Sequence, residues 1–88
     1  MRLKNIFEYV DMGNGDFFGV PVGHNATEVQ GVIKLNKTAK EIAEMLTEDI
    51  TLETIVERLS KKYENSKSEL IQYTKETVET LRKNDLIE

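Results

Sequence analysis

GVIKLNKTAKEIAEML, Gly31 to Leu46, begins with one period and ends with another. Gly31, Ile33 and Leu35 alternate with Val32 and Lys34, the period of two of a half-buried strand, and then Ala39, Ile42, Ala43 and Leu46 recur at helical spacing. The change falls at Asn36, with no glycine hinge, so a strand must run straight into a helix. That corner divides the chain into a β half before it and an α half after it.

Upstream, IFEYVDM and FFGVPV read as strands over residues 6–12 and 17–22, and the third strand covers 29–35. GNGD, Gly13 to Asp16, suits a hairpin turn because its glycines and Asn14 tolerate positive φ. GHNATE, Gly23 to Glu28, is a second polar connection, so the three strands form an antiparallel meander. Pro21 cannot donate to a ladder and belongs at the end of the second strand. Downstream, helices are expected over 38–46, 52–63 and 67–83. Thr38 with Glu41 and Ser66 with Glu69 stand in capping-box spacing, and Asn36 offers a cap one turn earlier. The fold class is α+β in a single domain over residues 1–88.

With 88 residues, 39% of them hydrophobic and 32% charged, one core can form and no second domain fits. No apolar run approaches the roughly 20 residues of a bilayer helix. Glu8 and Asp11 interrupt the N-terminal apolar residues, which argues against a secretory signal and for the cytoplasm. A net charge of -4 opposes generic binding to nucleic acid, whose affinity depends on clustered Lys and Arg.

Parts for catalysis are few. There is no cysteine, and His24 is the one histidine, read as an exposed loop residue, so thiolate and two-histidine metal sites are excluded. Glu41, Glu44, Glu48, Asp49, Glu53 and Glu57 are interleaved with Lys and Thr in the pattern of a solvated surface. GNGDFFG opens no helix and lacks the Lys-Ser/Thr of a phosphate loop. No catalytic residue, metal or cofactor is expected. A helix-turn-helix reading of the last two helices is the structured alternative, but the outer face of the third helix carries Glu76 and Glu79 beside Gln72, Lys75 and Lys83, and the acids repel phosphate. A scaffolding subunit of an enzyme complex is the other alternative.

The third strand is an edge blunted only by Lys34, a place where a peptide can add as a fourth strand or where a second copy can pair as a weak homodimer. Ordering a peptide costs about 1–2 kcal/mol per residue, and each backbone hydrogen bond returns a net of about 1 kcal/mol. Affinity then rests on side chains entering pockets. The inward stripe of the third helix, Leu70, Ile71, Thr74, Thr77, Val78 and Leu81, contains two threonines. Either they pack at a core margin and bond their own helix carbonyls, or part of the stripe lines a groove.

The run GVIKLNKTAKEIAEML, then TLETIVERLSKKYE and TVETLRKNDLIE, together with VPVG at Val20 to Gly23, resembles the PqqD family of peptide-recognition elements in ribosomally made peptide natural products. The resemblance covers nearly the whole chain and lies in the order and spacing of these segments. It implies a winged-helix-like fold of three antiparallel strands and three helices. It also implies a non-catalytic role, binding the leader segment of a precursor peptide and presenting it to a modifying enzyme, often a radical SAM enzyme. Carried onto this chain, the peptide-binding positions are Val29, Gly31, Val32, Ile33 and Leu35 on the strand, and Thr74, Thr77, Val78 and Leu81 on the helix. Asn84-Asp85-Leu86-Ile87 stands where the family commonly has Gly-Leu-Leu, with Asn84 expected to supply the left-handed cap.

Overall fold

A computed structural model describes residues 1–22 and 32–88. Three strands come first, β1 (Ile6–Asp11), β2 (Asp16–Val22) and β3 (Ile33–Asn36), followed by α1 (Lys37–Met45), α2 (Leu52–Ser60) and α3 (Lys67–Lys83). The sheet is antiparallel in the order β1-β2-β3, as the alternating pattern predicts. The connection 23–28, with His24, and the strand positions 29–31 lie outside the described residues.

Gly13 and Gly15 turn the first hairpin with φ of +84° and +89°, a region that glycine enters freely. The Asp11 and Asn14 carboxyl and amide oxygens accept from the N–H groups of Gly13 and Asp16. Gly19 has a different task. A Cβ built there would lie 2.9 Å from the Phe7 ring and 3.1 Å from Ile33, so β2 uses glycine to let Phe7 cross it into the core. In the described ladder β2 meets β3 only from Asp16 to Gly19, which leaves Pro21 outside that pairing.

At the strand-to-helix corner Asn36 caps α1, its side-chain oxygen accepting from the Ala39 N–H at 2.8 Å. The Thr38–Glu41 capping box does not form at this end, because Asn36 takes the cap two residues before Thr38 and Glu41 is engaged elsewhere. Ser66 and Glu69 do form the reciprocal box that opens α3. α2 stops at Ser60, short of the expected 63, as the N–H groups of Lys62 and Tyr63 both turn back to the Leu59 carbonyl.

The C-terminal end of α3 corrects a second expectation. Asn84 is the cap residue itself, and Asp85 adopts the left-handed conformation, φ 58°. The Leu86 N–H bonds to the Leu81 carbonyl and the Asp85 N–H to that of Arg82, the two bonds of a Schellman motif. The motif turns Leu86 and Ile87 into the core, where Ile87 pairs with Leu3 in an isolated antiparallel bridge.

α1 lies against β2 and β3, with α3 and then α2 beyond it. Ile42, Leu46, Ile55, Leu59, Leu70 and Leu81 are fully buried, each worth about 1.5–3 kcal/mol of apolar burial. The Lys40 ammonium stands over the rings of Tyr9 and Phe17 at 5.5 and 4.8 Å, joining α1 to the sheet by cation–π attraction.

Candidate peptide site between the edge strand and the third helix

Strand alternation turns Ile33 and Leu35 inward, where both are buried, and leaves Val32 and Lys34 exposed. What β3 offers is therefore its backbone, since among the described residues no strand pairs with its outer side. Beside its end, Asn36 lines a cleft of about 350 Å³ with Thr38 and Ala39 of α1, Tyr63 and Asn65 after α2, and Tyr73, Glu76 and Thr77 of α3.

Of the predicted helix positions, Thr77 reaches this cleft. Thr74, Val78 and Leu81 do not, because they are buried among the core residues. Thr74 is 0% exposed and donates its hydroxyl to the Leu70 carbonyl at 2.8 Å. A buried threonine satisfied by its own helix carries no unmet hydrogen bond. This meets half of the margin reading, the carbonyl bond, but the place is the core rather than its edge. Val29 and Gly31 lie outside the described residues.

Tyr73 is the residue that sequence reasoning missed. It stands four before Thr77, so the two form a row next to the buried one. It is 42% exposed, so its ring is open to a partner in the cleft. The i, i+4 spacing of Tyr73 and Thr77 was the available signal.

The opposite wall is braced. The Tyr63 hydroxyl donates to Glu41 Oε2 at 2.7 Å, and Lys62 Nζ donates to Oε1 at 3.0 Å. Glu41 is thus no member of a solvated surface, with its side chain 12% exposed. Burial pushes its carboxyl up, but the hydrogen bonds from Tyr63 and Lys62 together outweigh that and hold it below 4.5. The same bond, then burial, raises the Tyr63 hydroxyl, so the ring stays neutral and fixed.

The cleft is lined mostly by amides, hydroxyls and two tyrosines, a setting for hydrogen bonding and ring packing rather than for an apolar plug. Among the described residues no three His, Cys, Asp or Glu side chains stand together as a metal site, and no helix is long and apolar enough to cross a membrane. On α3, Gln72 donates to Glu76 on the exposed side, where Glu79 is also exposed, a poor surface for phosphate.

No curated protein matches the sequence. A solved structure described as "TbiB1 in Complex with the TbiA(beta) Leader Peptide" is similar in fold, with a TM-score of 0.74 at 14% identity, covering 100% of this chain and 95% of that one. A model of the family described as coenzyme PQQ synthesis protein D (PqqD) matches residues 25–87, most of the sequence, and the chain belongs to that family.

Proposed function

We propose that this protein is a non-catalytic peptide-recognition element. It binds the leader segment of a ribosomally made precursor peptide as a fourth strand on β3 and presents it to a modifying enzyme, such as a radical SAM maturase, in the cytoplasm. The observation that carries this reading is the backbone edge of β3, unpaired on its outer side among the described residues, ending in a cleft walled by Tyr73 and Thr77 of α3. Support comes from membership in the PqqD family and from a similarly folded protein whose structure holds a leader peptide.

The peptide lies about 4.8 Å from β3, as strands in a sheet do. Its residues opposite Ile33 and Leu35 face inward toward α3, and the backbones of Val32 through Leu35, continuing toward Gly31 and Val29, supply the ladder. Since backbone pairing roughly balances the cost of ordering, affinity comes from one or two side chains packing on Tyr73 and bonding Thr77 and Asn36. The predicted pockets at Thr74, Val78 and Leu81 are replaced in this reading by the row beside them.

An amide chemical-shift titration tests it, using leader peptides from short reading frames next to the gene. The expected result is a set of shifts at Val32 through Asn36 and at Tyr73 through Thr77. If those amides stay silent while a DNA duplex moves α3 at moderate salt, peptide recognition is the wrong reading.

A further inference from the structure

The sheet has a second face, on which apolar side chains predominate around Glu8 and Lys34. Opposite the helices, β1 presents Ile6 and Val10, β2 presents Phe18, Val20 and Val22, and Val32 follows the same alternation beside β3. Ile6 is 65% exposed, Val32 55% and Val10 52%. The residues are joined across strands, Ile6 with Val22 and Val10 with Phe18. An antiparallel sheet with one solvated face normally shows polar residues there, and a contiguous apolar patch of this kind marks an interface.

We infer that a second copy of this chain packs on this outer face, sheet against sheet, in a weak two-fold dimer. Charge is the first argument for that occupant. Glu8 on β1 and Lys34 on β3 are charges of opposite sign on the two flanks of β2. Glu8 forms no ion pair among the described residues, and Lys34 meets Asp16 at 3.5 Å with its side chain still 62% exposed. A two-fold axis running along β2 lays β1 of each copy over β3 of the other. Glu8 then meets the second Lys34 twice, the reciprocity that an isologous interface requires.

Area is the second argument. Three strands about 4.8 Å apart and roughly 20 Å long present a face on the order of 300 Å². A standard stable interface takes about 800 Å² from each partner. The face is therefore too small for a permanent dimer, so pairing is weak and depends on concentration. Because the contact uses the face rather than the edge, the outer backbone of β3 stays open in both copies. The inference stands on the sheet face alone and is independent of peptide binding.

Sedimentation equilibrium of the full chain from about 10 µM to about 1 mM tests it. The average mass should rise from 10.1 kDa toward twice that value across the range. Val10→Lys, at an exposed position that leaves the core intact, should weaken association at least about tenfold. Glu8→Lys and Lys34→Glu should each weaken it, and the double exchange should restore it. Thermal melts of each variant establish that it is folded. A wild-type chain still monomeric at the highest concentration overturns the inference and leaves the face to a different protein. A dimer that ignores Val10→Lys overturns it in favour of pairing through the β3 edge.

Discussion

Two neighbouring rows of α3 differ in every respect except their helix. Leu70, Thr74, Val78 and Leu81 are buried and hold the fold, whereas Tyr73 and Thr77, one step around the helix, line the cleft beside β3. The difference teaches that a domain of 88 residues cannot spare its best apolar stripe for a ligand. In the proposed function, recognition therefore falls to the flank, where side chains contribute little to folding.

The comparison is easiest to break with Leu81→Ala. A fully buried leucine truncated to alanine should cost about 2–5 kcal/mol and lower the melting temperature sharply. A variant that melts like the wild type but no longer shifts with peptide would reverse the roles of the two rows. Gly19→Ala probes the opposite side of the same core. Phe7 must move away from the new methyl group, so a loss of about 1–3 kcal/mol is expected in denaturant titration, and no loss would show that the Phe7 crossing is not needed.

A smaller effect is expected at the corner between the halves. Asn36→Ala removes the α1 cap and should cost about 1 kcal/mol by chemical denaturation. Because Asn36 also lines the cleft, weaker peptide binding should accompany the loss, and unchanged binding would limit Asn36 to its capping role.

Tyr63→Phe tests the braced wall and should cost about 1 kcal/mol or less at neutral pH. Glu41 has a lowered folded pKa, so its contribution is fully present above the ordinary 4.5 and disappears as pH falls through the lower folded value. The variant should therefore narrow its deficit toward wild type on the acid side, and a deficit constant with pH would remove Glu41 from the account. The smallest expected change in stability belongs to Tyr73→Ala, within about 0.5 kcal/mol as for an exposed position. Its loss of peptide affinity should be at least about tenfold, and retained affinity would erase the distinction between the rows.

Much of this was legible before any coordinates. Periods of two and of 3.6 distinguish the strands from the helices, GNGD marks the hairpin, and Ser66 with Glu69 marks the start of α3, because each of these rests on local backbone preferences. The candidate site was legible only in part. Of the four positions read on the third helix, Thr77 alone lines the cleft beside β3, because a stripe read on one helix does not say which of its rows meets α1 and which meets the open cleft.

Sequence by itself determined the order of strands and helices, the corner at Asn36 and the poverty of catalytic groups, all properties of short segments or of composition. Tertiary structure alone decided three other things. It buried Thr74 and exposed Tyr73, since helix rotation is set by what the helix packs against. It drew Glu41 away from its expected capping box to Tyr63, 22 positions on. And it paired Leu3 with Ile87 at opposite ends of the chain while leaving Ile6, Val10 and Val32 exposed on one sheet face. No local pattern encodes those choices, because each depends on groups distant in sequence competing for the same limited core.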